Sequence, residues 1–230
     1  MRCFGVPAPI DPDNVPVSRD PSGSSPFTVL LVCTGNICRS AMADRLGRSY
    51  LDEVLGADAG LIQLISAGTR AVVGSGMHPH SALVLQGFGA EPRDFRARQL
   101  LEVDAIAADL ILTMTRAHRS VVLQEAPRAL ARTFTLLEAA DVLRQLGDDH
   151  EVAGDTFAGR ARGLVRQMAA ARSRRHNSDA DDVPDPINRA VEVHQAVGDA
   201  IAAALIPVLA RFAALGSGAL SEKRGPEDAT

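Results

Sequence analysis

The apolar pattern of the chain begins at "FTVLLVC" (27–33), seven residues without a charge and with β-branched members at Thr28, Val29 and Val32. A run of that kind fits a strand buried on both faces, as a parallel sheet requires. After a loop containing Gly35, "RSAMADRLGRSYLDEVL" (39–55) changes period, and Met42, Leu46, Tyr50 and Leu51 fall on one helical stripe. "LIQLISAG" (61–68) and "LILTMT" (110–115) read as two further strands, and "TFTL" from Thr133 as a fourth. Helical stretches are expected around 80–88, 101–108 and 116–125, with a last helix starting near Asn188. Strands alternating with helices imply βαβ units, so the predicted fold is a single doubly wound α/β domain with a central four-stranded parallel sheet flanked by helices. No internal repeat is evident.

The ends carry little to bury. Residues 1–25, rich in Pro, Asp and Ser, and 216–230, "GSGALSEKRGPEDAT", read as disordered tails. The domain is then 26–215, with a helical and polar insertion at about 141–180 that includes the charge-dense "RSRRHNSDADDVPDP". Within that loop Asp179, Asp181 and Asp182 are expected to be solvated. The apolar "AIAAALIPVLARFAALG" (200–216) is interrupted by Pro207 and Arg211, so a packed helix is expected and no membrane insertion.

Charge and cysteine content narrow the function classes. A formal net charge of −4 leaves no overall basic field, which disfavours nucleic acid as a partner. Three cysteines, Cys3, Cys33 and Cys38, are too few and too unevenly placed for a disulfide scaffold, so a reducing, cytoplasmic setting is expected. His78, His80 and His118 have no neighbouring Cys, Asp or Glu at a metal-ligand spacing, so no metal site is expected there, and no cofactor.

The stretch that carries chemistry is "VCTGNICRS" (32–40). It lies where the first strand ends and the first helix begins, the place where parallel α/β sheets bind ligands. A glycine-containing loop at a helix N-terminus offers converging N–H groups and the positive end of the helix dipole, which suits a phosphate dianion. A Walker loop would need a lysine, and the only one here is Lys223. The same groups favour the thiolate of Cys33 over its thiol. A thiolate at the floor of such a cradle, built from Thr34, Gly35, Asn36, Ile37, Cys38 and Ser40, can attack phosphorus to give a cysteinyl phosphate that water hydrolyses. Arg39 would clamp two phosphate oxygens through its planar fork, Ser40 would donate to the leaving thiolate, and Asn36 would hold a left-handed loop conformation.

"CTGNICRS" resembles the signature loop of the low-molecular-weight protein tyrosine phosphatases. "SAGT" (66–69), "RARQL" (96–100), "LILTMT" (110–115) and "VPDP" (183–186) stand in that family's order. The resemblance implies the fold derived above and makes Asp185, in its Asp-Pro pair, the general acid. It implies that Ser66 bonds the phosphate loop through Asn36. It also implies a reversible disulfide between Cys33 and Cys38, to which a small side chain packed under the loop is the alternative. Two departures stand out. Phe95 replaces a histidine expected before "ARQ", which should loosen the loop. Ile187 follows Asp-Pro where aromatics are usual, so an aromatic clamp on phosphotyrosine is not evident. The expected substrate is a phosphorylated protein or a small aryl phosphate. An arsenate reductase relying on an external thiol partner, and a non-catalytic phosphate-binding module, are the alternatives.

Overall fold

The structure, a computed structural model, describes residues 25–147, 152–175 and 179–221. Four parallel strands form one sheet: β1 (Phe27–Cys33), β2 (Ile62–Gly68), β3 (Leu110–Thr113) and β4 (Thr133–Thr135), in the order β2-β1-β3-β4. Every residue of β1 is buried. Its alternation divides the core, because Phe27, Val29, Leu31 and Cys33 enter one cluster while Leu30 and Val32 enter another on the opposite face. Such two-sided burial is why the run shows no polar alternation.

The larger face is covered by α1 (Arg39–Leu55), α5 (Leu136–Leu146), α6 (Phe157–Arg172) and α7 (Val191–Ser221), with α2 (Pro79–Gly87) against α1 and α7. The other face carries α3 (Glu102–Ala107) and α4 (Arg116–Glu125). Local sequence sets several starts. Pro79 occupies the first turn of α2, where a missing N–H costs nothing. Thr135 and Glu138 form a capping box at the head of α5.

α7 is the central helix of the larger face. By length and composition Val191–Gly216 could cross a membrane, yet half of its most apolar window is buried in the fold. Ile201, Leu205, Val208, Leu209 and Phe212 are all buried, and Phe212 stacks on Phe27 with ring centroids 5.0 Å apart. Gly198 permits the close crossing, since a Cβ there would meet Val84 at 2.7 Å and Met42 at 3.1 Å.

Two expectations about the C-terminal half need correction. The stretch 141–180, expected to be polar, contributes to the core: α6 places Ala161, Leu164, Val165 and Met168 there. The final helix begins at Val191 and runs to Ser221, past the end assigned to the domain. The remaining tail residues, 1–24 and 222–230, lie outside the described residues.

Candidate active site

β1 delivers Cys33 to the C-terminal end of the sheet, between β2 and β3, where the sheet order switches direction. The loop from Cys33 to Cys38 then curls before α1 starts at Arg39. Its carbonyls are engaged outward. Those of Cys33, Thr34 and Gly35 accept from the N–H groups of Thr69, Arg70 and Val72 at 2.9, 2.9 and 3.0 Å. Those of Ile37 and Cys38 accept from His78 and Met42 at 2.8 and 2.9 Å. In a planar trans peptide the following N–H points the opposite way. The N–H groups of Thr34, Gly35, Asn36, Cys38 and Arg39 are thereby turned away from these partners, and that of Asn36 reaches Cys33 Sγ at 3.3 Å. Close approach is required at Gly68, where a Cβ would stand 2.4 Å from the Thr34 carbonyl oxygen.

Asn36 is the hub of the loop. Its φ of 54° is left-handed, a conformation asparagine tolerates better than most residues. Its side-chain amide donates to Ser40 Oγ at 2.9 Å and to Ser66 Oγ at 3.1 Å, while its Oδ1 accepts from the backbone N–H of Arg98 at 2.9 Å. Ser66 in turn donates to Asp44 Oδ2 at 2.7 Å, and Asp44 pairs with Arg48. Ser66 thus takes the anchoring place expected for it. Phe95 is buried against Ala41 and Ala97, and the Arg98 N–H fastens Asn36 from that side.

Cys33 is buried, with Sγ 2.9 Å from Ser40 Oγ. Arg39 is also buried and extends toward the segment before α7. It donates to the Val183 carbonyl at 3.2 Å and pairs with Asp185 Oδ2 at 2.5 Å, while its buried Nε has no hydrogen-bond partner among the described residues. Asp185 comes from 146 residues away in sequence and its side chain is 43% exposed, so its carboxyl can meet a group arriving from solvent. The segment that carries it is held at both ends. Val183 N–H bonds the Met114 carbonyl at 2.8 Å, and Asp185 Oδ1 accepts from Ile187 N–H at 3.2 Å. Asp181 is buried and ion-paired with Arg175, and Asp182 accepts from Arg116 N–H at 2.7 Å, so these carboxylates fix the segment instead of being solvated.

The chain matches the family model "Low molecular weight phosphotyrosine protein phosphatase" over residues 28–145. It is 34% identical over 134 residues to a protein-arginine-phosphatase of Geobacillus stearothermophilus, covering 58% of this chain and 81% of that one. To the low-molecular-weight protein-tyrosine-phosphatase Wzb of Salmonella typhi it is 31% identical over 129 residues, covering 56% and 80%. Among solved structures, the YwlE arginine phosphatase of G. stearothermophilus superposes with a TM-score of 0.57 at 25% identity, over 88% of this chain and all of that one. A low-molecular-weight protein tyrosine phosphatase from T. tengcongensis gives 0.56 at 26% identity, over 80% and 97%.

The chain belongs to the low-molecular-weight phosphotyrosine protein phosphatase family. It is a cysteine-dependent phosphatase.

One feature of this phosphatase, His118, was not visible as a site residue in its sequence, and the expected site residue Cys38 has a notable setting. His118, in the first turn of α4, holds Thr34 Oγ1 through Nε2 at 2.8 Å and Thr115 Oγ1 through Nδ1 at 2.9 Å. Burial, and then the Arg39 charge, lower its pKa from 6.5 to about 4, so it braces the loop as a neutral ring. Cys38 is free and buried at the head of α1, and burial pushes its thiol up to about 11, opposed by a hydrogen bond with Ser81. The rim is aliphatic: half-exposed Val72 lies beside Gly35, and Ile187 is partly exposed beside Asp185.

Proposed function

We propose that this phosphatase removes the phosphoryl group from phosphotyrosine in proteins by a two-step reaction on Cys33. The Cys33 thiolate attacks phosphorus, the bond from phosphorus to the aryl oxygen breaks, and Asp185 in its acid form protonates the departing phenolate. Arg39 grips two equatorial oxygens with its planar fork, its Nε included, and strengthens its hold as charge spreads. The loop N–H groups and the dipole of α1 take the remaining charge. In the second step the Asp185 carboxylate takes a proton from water as that water attacks phosphorus. The phosphorus–sulfur bond breaks, and Ser40 Oγ–H donates to the returning thiolate. Phosphate leaves.

The observation that supports this most strongly is the convergence of Cys33, Ser40, Arg39 and Asp185 at one end of the sheet, with Arg39 touching Asp185 across 146 residues of sequence. Phosphorus–oxygen cleavage needs no cofactor in this scheme, and a thiol nucleophile suits a reducing, cytoplasmic compartment. Val72 and Ile187 supply apolar contact to a ring without an aromatic clamp. A second substrate class, phosphoarginine, is favoured by the 34% identity to the Geobacillus arginine phosphatase.

The test is kcat/KM on a phosphotyrosyl peptide and the matching phosphoarginyl peptide, for wild type, Cys33→Ser and Asp185→Asn. Expected are a preference for phosphotyrosine, no turnover by Cys33→Ser, and a loss of roughly 10²- to 10⁴-fold with Asp185→Asn on the aryl ester. A preference for phosphoarginine moves the substrate to the second class. Undiminished turnover by Cys33→Ser overturns the mechanism.

A further inference from the structure

Beside the phosphate loop lies a cluster that the phosphatase reaction does not use. Cys38, at the head of α1, His78, the N-cap of α2, and His194, in the first turn of α7, converge from three separate stretches of chain. Each offers one ligand atom, and these atoms lie within 4.8 Å of one another. The His78 and His194 rings stack with centroids 4.7 Å apart, and His80 stands edge-on to both at 5.4 and 5.2 Å.

The polar atoms of this cluster are poorly accounted for by the protein alone. His194 is completely buried. Its Nδ1 shares a hydrogen with Ser81 Oγ at 2.9 Å, while its Nε2 makes no hydrogen bond of regular geometry, although the Pro186 carbonyl lies near enough to favour a proton on the ring. His80 Nδ1 is buried and has no hydrogen-bond partner among the described residues. His78 Nδ1 accepts from the His80 N–H at 3.3 Å, which leaves its Nε2 uncommitted to the backbone. Buried imidazole nitrogens without a regular hydrogen bond are uncommon, so a cluster of imidazoles that holds them needs an explanation. Burial, and then the neighbouring imidazoles, lower the pKa of His78 and of His194.

We propose that Cys38, His78 and His194 form a binding site for a borderline-soft divalent transition metal, Zn²⁺ being the type, with His80 or a water in the fourth position. Thiolate and imidazole are the donor set such ions select, whereas Mg²⁺ and Ca²⁺ want oxygen. Zinc bonds of ~2.0–2.3 Å place tetrahedral ligand atoms roughly 3.3–3.8 Å apart. Closure from the present separations therefore asks for shifts of about half an ångström per side chain. The ring of His194 is already held on one nitrogen by Ser81, which is how ligating histidines are oriented. On binding, the Cys38 thiol loses its proton to solvent, and the metal–sulfur bond takes its place.

The position gives the ion consequences. Cys38 immediately precedes Arg39, and His194 lies nine residues after Asp185 at the start of the helix that follows it. A bound ion would tie the phosphate loop to the head of α7.

The test is titration of the full, reduced chain carrying Cys3→Ala with Co²⁺ as a spectroscopic probe, and with Zn²⁺ in competition with a chromophoric chelator. One equivalent of Co²⁺ is expected, with a thiolate-to-cobalt charge-transfer band and the intense visible bands of tetrahedral geometry. The charge-transfer band should persist in Cys33→Ser and vanish in Cys38→Ala. Zn²⁺ affinity should fall at least tenfold in His78→Ala and in His194→Gln. His78 is only partly buried, so His78→Ala keeps the fold, as circular dichroism would verify. Absence of the band in the parent chain overturns the proposal. So does a band that disappears with Cys33→Ser but survives Cys38→Ala, or affinity indifferent to both histidine changes. The readout is metal binding, so its failure leaves the phosphatase mechanism untouched.

Discussion

Removal of the His118 imidazole should flatten the acid side of the stability curve. In the folded chain this ring titrates at about 4, whereas an unfolded histidine titrates near 6.5. A group with a depressed folded pKa binds its proton more readily unfolded, so stability is fully present above 6.5 and is lost as pH falls toward 4. Between pH 7 and pH 5 the linkage relation gives a loss of up to about 2 kcal/mol through this one ring. His118→Gln cannot titrate but can still reach a threonine hydroxyl. At pH 7 it should cost about 1–3 kcal/mol, because the shorter planar amide cannot bond Thr34 and Thr115 together as the imidazole does. The deficit should shrink by up to about 2 kcal/mol by pH 5. Urea unfolding of both proteins at half-unit steps from pH 7.5 to 4.5 measures this, and the pairwise difference cancels the other histidines. Two stability curves that stay parallel over that range would refute the reasoning.

Two further changes probe the loop. Gly68→Ala drives a Cβ to 2.4 Å from the Thr34 carbonyl oxygen and 3.0 Å from Ala71 Cα, both backbone, so about 1–3 kcal/mol of stability should be lost and kcat/KM should fall at least tenfold; urea melts and turnover check it, and unchanged activity would contradict the contact. Ser66→Ala strips a partner from Asn36 and from Asp44 and should cost about 1–3 kcal/mol, with the loss in kcat exceeding any rise in KM. Wild-type kcat in a stable Ser66→Ala would show that the loop does not need this brace.

The sheet and the phosphate loop were legible because they rest on local pattern. β1 is a continuous apolar run, and the requirement for backbone donors at a helix N-terminus is met within eight residues of it. What escaped the sequence depends on side chains meeting across long separations. His118 is 84 positions from Thr34, and His194 is 113 from Ser81. No spacing rule joins them. Asp181 looked solvated because it sits among charges, yet Arg175 closes over it and both leave the solvent. The hold on Asn36 near Phe95 was not legible either, because it comes from the Arg98 backbone N–H, which every non-proline residue carries and no composition reveals. α6 looked like an insertion because its arginines dominate the string, while Ala161, Leu164, Val165 and Met168 at helical spacing bury the other side.

The central claim is that phosphate passes through Cys33. Its most direct test is acid quenching of Asp185→Asn during turnover of an aryl phosphate, followed by intact mass and peptide mapping. With an aryl group acidic enough to leave unprotonated, the first step bypasses Asp185 while the second still lacks its base, so the intermediate should accumulate. The account predicts one added phosphoryl group, located on Cys33 and absent from Cys33→Ser. Continued turnover with no phosphorylated cysteine at any quench time would contradict it.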